Sequence, residues 1–117
     1  MVLVDTSVWN DHFNIGDSRL ITLLENNEVF THPFIIGEIA YGNIKNRDEI
    51  LQLLADLPEI TTASHNEILF LIDQHTLYGK ELGYIEVHLV ASCMMDRVHL
   101  YTRDKRLHQA AKELNVG

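Results

Sequence analysis

The sequence holds one cysteine, Cys93, and only two prolines in 117 residues. A lone thiol forms no internal disulfide, so stability must come from a packed core, which a chain of this length can bury, and a reducing cytoplasm is the expected setting. No apolar run approaches the roughly 18 residues of a membrane span. The start, Met1-Val2-Leu3-Val4-Asp5, is too short for a signal peptide, has no basic residue and meets an acid at once. Positive charge is scarce: nine Lys and Arg against seventeen Asp and Glu leave a net charge of −8. Taken alone, that balance argues against nonspecific binding to nucleic acid, which relies on an excess of cations. Low-complexity tracts, repeats and Gly/Pro-rich linkers are also missing, so residues 1–117 read as a single domain.

What is present is an alternation of short apolar strands and amphipathic helices. Val2 to Val4 predicts a buried strand, and Asp5-Thr6-Ser7 opens a short helix through Phe13. Gly16-Asp17-Ser18 starts a second helix, with Leu20, Leu23 and Leu24 on one stripe and Asn26-Asn27 at its end. Val29 to Thr31 predicts a second strand. Pro33 stands where a first helical residue is expected, and that helix runs to about Asn43. Asp48 to Leu57 is amphipathic through Ile50, Leu51 and Leu54, and Pro58 stops it. Ile60 to Ala63 predicts a third strand, followed by a helix capped by Ser64 and ending near Gly79. Tyr84 to Met95 is an apolar helix, Val98 to Thr102 a fourth strand, and Asp104 opens a last helix through Leu114. Apolar strands separated by helices indicate an α/β domain with a largely parallel sheet. Ligands of such sheets bind beyond the carboxyl ends of the strands. Asp5 and Asp104 both lie just past such ends.

Most of the acids fit solvated helix faces or ends. Three differ in their setting: Asp5 is the only charge from Met1 to Asn10, Glu38 the only one from Thr31 to Ile44, and Glu86 the only formal one from Gly83 to Met95. Phe34, Ile35 and Tyr41 surround Glu38 at helical spacing, as Leu89 and Val90 do Glu86. An unpaired carboxylate among apolar neighbours is costly to ionise. Two carboxylates about 4 Å apart repel by roughly 4 kcal/mol at an effective dielectric near 20. A divalent cation relieves both costs, and an all-carboxylate set without a His or Cys cage suits Mg²⁺ or Mn²⁺. Plainer roles stand beside this one. Asp5 and Asp104 are also good helix caps, Glu86 is a first-turn acid facing a helix dipole, and Glu38 fits a half-exposed helix.

The stretches Val4-Asp5-Thr6-Ser7-Val8-Trp9, His32-Pro33-Phe34-Ile35-Ile36-Gly37-Glu38, Gly83-Tyr84-Ile85-Glu86-Val87-His88-Leu89 and Tyr101-Thr102-Arg103-Asp104-Lys105-Arg106-Leu107 together resemble the PIN-domain toxins of VapBC toxin–antitoxin pairs. They run in family order and span nearly the whole chain. The resemblance implies a PIN-like three-layer α/β domain, its central, largely parallel sheet flanked by helices. It also implies a Mg²⁺- or Mn²⁺-dependent endoribonuclease that hydrolyses phosphodiester bonds of cellular RNA and is neutralised by a VapB-like antitoxin. Carried over, the catalytic and metal-holding acids are Asp5, Glu38, Glu86 and Asp104, with Ser7 and Thr102 supporting Asp5 and Asp104. The family usually has Asp where this chain has Glu86, one methylene longer, which bears on metal distance and number.

The acidic excess then belongs in part to the pocket, and RNA needs only a local basic rim, for which Lys45 with Arg47, and Arg103 with Lys105 and Arg106, are the candidates. The family usually pairs as homodimers through apolar helices. The stripes Leu20, Leu23, Leu24 and Ile50, Leu51, Leu54 are available for that or for the core. Cys93 reads as core packing, and His65, His75, His88 and His99 lack zinc spacing. A receiver-like signalling domain would need an Asp after the third strand, where the chain has Thr61-Thr62-Ala63. The remaining alternative is a degenerate PIN fold kept for RNA or protein binding.

Overall fold

A computed structural model describes residues 1–117. The short strand β1 (Val2–Val4) sits in the middle of a three-stranded sheet, with β2 (Val29–Phe30) on one side and β3 (His99–Tyr101) on the other. Both pairings are parallel, with Val2 opposite Val29 and His99, and Leu3 opposite Phe30 and Leu100. Leu3 and Val4 are wholly buried, in keeping with the near-continuous apolar strands of a covered parallel sheet. Helices α1 (Thr6–Ile15) and α2 (Ser18–Glu25) connect β1 to β2. The return to β3 passes through α3 (Pro33–Tyr41), α4 (Arg47–Asp56), α5 (His65–Gln74) and α6 (Tyr84–Asp96), and α7 (Lys105–Glu113) follows the sheet. The resulting order, β2-β1-β3, puts the topological switch between the carboxyl ends of β1 and β3, where chain segments diverge and leave a crevice.

Helix α6 is the central one. Every residue from Val87 to Cys93 is buried, and apart from His88 and Ser92 all are apolar, as befits a helix enclosed by neighbours. It packs on α5 and β3, and only its ends reach solvent. The Cys93 thiol is pushed up to about 12 by burial and by the nearby Asp96 charge, which leaves it an inert core group. Trp9 and Val8 of α1, Ile35 and Ile39 of α3, and Leu54 of α4 complete the main core.

The expected third strand, Ile60 to Ala63, is not formed. Only one parallel bridge, Thr31 to Glu59, extends the β2 edge: Thr31 N–H donates to Pro58 and Ile60 N–H to Thr31. The next amide, Thr61, is taken instead by the Asp96 carboxylate at 2.8 Å, which draws the chain away from the sheet. Thr61 and Thr62 are exposed, so no burial favours further pairing. Helix α5 also ends earlier than expected, at Gln74, and Thr76 adopts φ +53°, a left-handed stop. Both leucine stripes belong to the core: Leu20 and Leu54 are wholly buried, and Leu23, Leu24, Ile50 and Leu51 pack against them. The apolar surface left open lies elsewhere, with Phe70 at 68% exposure lining a groove between α5 and α6 together with Met95.

Candidate active site

Asp5 follows β1, and its N–H donates to Tyr101 O at 2.9 Å, so the sheet ladder itself fixes the residue. It stands at the N-cap position of α1, yet its carboxylate caps nothing. Two hydroxyls hold it instead: Ser7 Oγ and Thr102 Oγ1 each donate to Asp5 Oδ2 at 2.8 Å. The same two oxygens accept from the loop after β3, Ser7 Oγ from Arg103 N at 3.0 Å and Thr102 Oγ1 from Asp104 N at 3.1 Å. This mesh ties the carboxyl ends of β1 and β3 together. Asp5 is 8% exposed, and no Lys, Arg or His pairs with it.

The other three acids come from helix starts or faces around that crevice. Glu38, on α3, is exposed, and its Oε1 accepts from Thr6 Oγ1 at 2.8 Å. Its apolar helical neighbours do not enclose it: Phe34 is 38% and Tyr41 96% exposed. Glu86 occupies the first turn of α6 and folds back so that Oε1 accepts from Gly83 N at 2.8 Å, the acidic half of a capping box. A Cβ at position 83 would lie 3.2 Å from that oxygen, so glycine permits the close approach. Asp104 caps α7, with Oδ1 accepting from Arg106 N at 2.9 Å and Leu107 N at 3.2 Å.

Asp5, Thr6, Ser7, Glu38, Glu86 and Asp104 line one cleft of about 560 Å³. The four carboxylates share a pattern: one oxygen is held by a protein donor and the other has no hydrogen-bond partner. No cationic side chain lies within ion-pair distance of any of the four. They do not form a closed cage, since no three His, Cys, Asp or Glu side chains are grouped as a ready metal site. An open arrangement of carboxylates is what Mg²⁺ takes, because it keeps several waters and uses one or two carboxylates plus substrate phosphate. The donor set fits such a cation.

The chain aligns along its full length with Ribonuclease VapC32 of two Mycobacterium tuberculosis strains, 43% identical over 118 residues and covering 95% of each relative. The chain belongs to the VapC ribonuclease family. No general family model matches it. The α/β architecture implied by the resemblance, a parallel sheet flanked by helices, is the one observed, with three strands where the apolar runs suggested four.

Several features of this VapC-family chain were not foreseen from sequence. Thr6 orients Glu38 across 32 positions of sequence. Asp17, expected only to open α2, is a buried acid that accepts from Leu20 N and Tyr101 Oη, both at 2.8 Å, and pairs with Arg103. Burial opposes its ionisation, but the Leu20 amide, the Tyr101 hydroxyl and Arg103 together outweigh that and hold its carboxyl below the usual range. Arg103 also meets Asp11 at 2.7 Å. Its guanidinium therefore braces α1 and α2 against the β3–α7 loop, while Lys45 and Lys105 make no ion pair with any acid. Arg106 lies 3.6 Å from exposed Glu81, and Arg47 donates to Ala40 O at 2.8 Å.

Proposed function

We propose that this chain is the toxin of a toxin–antitoxin pair, a cytoplasmic endoribonuclease that cleaves RNA with Mg²⁺ or Mn²⁺ held by Asp5, Glu38, Glu86 and Asp104. The observation that carries the metal reading is the set of four carboxylates around one cleft, each with one oxygen fixed and one unpartnered, and none paired with a cation. When bound, the cation supplies charge stabilisation to the phosphoryl oxygens and favours ionisation of a water at neutral pH.

The reaction is hydrolysis: a water oxygen bonds to phosphorus, the bond from phosphorus to one ribose oxygen breaks, and that oxygen leaves with a proton. No side-chain nucleophile is required, and Cys93, wholly buried, is in no position to be one. Ser7 and Thr102 keep Asp5 in one orientation, and Thr6 does the same for Glu38. Lys45, Arg47, Lys105 and Arg106 stand outside the cleft lining and supply cations to phosphates further along the RNA, with Arg103 acting through its brace. The antitoxin places a basic group in the cleft, where a guanidinium can pair with two of the free carboxylate oxygens. Homodimerisation belongs to the same reading, through the exposed Phe70 and Met95 rather than the buried leucine stripes. A non-catalytic binding fold is not favoured.

Incubating the purified protein with RNA tests the reading. Cleavage is expected with Mg²⁺ or Mn²⁺ and none with excess EDTA; full activity in EDTA would remove the metal from the account.

A further inference from the structure

A second and larger polar cavity, about 690 Å³, lies between the later turns of α1 and the α3–α4 loop. Asn10, Asn14, Asn43 and Asn46 line it together with His12 and Lys45. None of the four side-chain amides makes a hydrogen bond within the protein, and the Lys45 ammonium has no carboxylate within ion-pair distance. Asn46 stands at the N-cap position of α4, where an asparagine ordinarily caps, yet its side chain does not. No acid is among the ten lining residues, although the chain carries seventeen. In a molecule of net charge −8, that makes the cavity a local site for an anionic, hydrogen-bonding ligand.

The cavity and the acidic cleft are separate, but α1 and α3 each run from one to the other. Thr6, Asn10 and Asn14 follow at four-residue spacing on one face of α1, and Thr6 is hydrogen-bonded to Glu38. On the neighbouring helix α3, Glu38 leads at the same spacing to Gly42, at the lip of the cavity, and Tyr41 in between is 96% exposed. At 1.5 Å per residue, Asn10 and Asn14 are about 6 and 12 Å along the helix from Thr6. That distance corresponds to about two to four steps of a stacked strand at roughly 3.4 Å each.

We propose that this cavity binds a nucleotide of the RNA substrate a few positions from the cut, and so sets sequence preference. The inference rests on the ribonuclease reading above. A carboxamide presents a donor and an acceptor side by side, which is the complement of a base edge, adenine above all. Single-stranded RNA exposes those edges. Lys45 takes the adjoining phosphate, and the open Tyr41 ring offers a face on which the intervening base stacks.

The test uses the full chain and a pool of random-sequence single-stranded oligoribonucleotides, with the cut ends sequenced. Asn14→Asp keeps the side-chain shape but replaces a donor by a charge, and is expected to change the base preference at a position away from the cut by about tenfold. Lys45→Ala is expected to lower kcat/KM on long RNA more than on a dinucleotide and to reduce the salt slope by about one. In parallel, a thiouridine-containing oligonucleotide is photocrosslinked to the Asp5→Asn chain and the adducts are mapped. Adducts on α1 or the α3–α4 loop support the site, even if the unaltered chain proves unable to cut RNA, in which case only the activity reading falls. Cleavage with preferences identical in both variants, and adducts mapped elsewhere, overturns the site and leaves the activity standing. Variants that lose only affinity for a protein partner, with RNA parameters unchanged, would reassign the cavity to that partner and equally overturn the proposal.

Discussion

Asp5 and Asp17 are both nearly buried, at 8% and 6% exposure, and both lean on the end of β3. Consecutive residues serve them: Thr102 Oγ1 donates to Asp5 and Tyr101 Oη to Asp17, as expected of extended backbone whose side chains alternate. Arg103 then divides between them. Its backbone N–H enters the Asp5 mesh through Ser7, while its guanidinium goes to Asp17. The outcome is two carboxylates with opposite electrostatic states. Asp17 has a cation, a hydroxyl and a backbone amide, so its charge is answered within the protein. Asp5 has hydroxyls only, and three more acids border the same cleft. Burial alone does not distinguish a brace from a site; the missing counter-charge does.

The sharpest way to break the comparison is to remove each acid in turn. Asp5→Asn is expected to lower RNA cleavage about a thousandfold or more, while the thermal melt stays cooperative and stability shifts by no more than about 1 kcal/mol. Asp17→Ala is expected to do the reverse, costing about 3 kcal/mol of stability because a buried cap and ion pair are lost together, with cleavage kept at temperatures where the variant is folded. Denaturant melts and initial rates on the two variants check both. A chain that loses stability at Asp5 and activity at Asp17 would invert the assignment.

A buried base sharpens the contrast from the side of pH. His32 is 1% exposed, its ring lies tilted at 50° against Phe34 and near His88, and its Nδ1 accepts from Phe34 N at 3.0 Å. Burial first, and the His88 charge second, lower its pKa from 6.5 to about 4. The unfolded chain therefore binds a proton between these values that the folded one refuses, so stability falls as pH drops from 6.5 to about 4. At 1.36 kcal/mol per unit, the loss is on the order of 3 kcal/mol. Asp17, held below its ordinary 3.8, adds its own loss only at lower pH. Denaturant melts across this range check the order, and His32→Asn, which retains a cap acceptor, should reduce the upper part, the remainder coming from His88, which burial and then His65 also hold below the usual imidazole range.

Smaller effects are expected at the supporting positions. Glu86→Gln keeps an oxygen for the Gly83 amide but removes the charge, and should lower cleavage by at least about tenfold, whereas Glu86→Asp should preserve it. If Glu86→Gln is kinetically silent, Glu86 is a helix-terminus charge and three acids suffice. Ser7→Ala leaves Asp5 with Thr102 alone and should cost up to about tenfold, with KM less affected than kcat. Steady-state kinetics on one RNA substrate separates these.

Much of this was legible in the sequence, and the parts that were not share a physical cause. The β1 and β3 strands and the acids past their ends followed from short apolar runs interrupted by single charges. The strand expected at Ile60 to Ala63 failed because Asp96, 35 positions away, takes the Thr61 amide. Glu38 and Glu86 are isolated among apolar residues in the sequence, yet Glu38 is exposed and Glu86 half-buried, since helical neighbours in sequence need not cover a side chain. Asp17 does not stand out in the sequence for the converse reason: its partner Arg103 is 86 positions distant, and no local pattern reports it. The convergence of four acids on one cleft depends on topology, which order along the chain suggests and only the fold establishes.

The central claim, that the cleft with unanswered charge is a cation site, is tested most directly by titrating Mn²⁺ into the RNA-free protein in a calorimeter. The account predicts saturable binding to the unaltered chain, with a thermal midpoint that rises with Mn²⁺ concentration, by about 2.7 kcal/mol of stability at a hundredfold excess over Kd. Asp17→Ala should bind as the unaltered chain does, and Asp5→Asn should bind far more weakly or not at all. Equal Mn²⁺ affinity in the Asp5→Asn variant, or none in the unaltered protein, would contradict it.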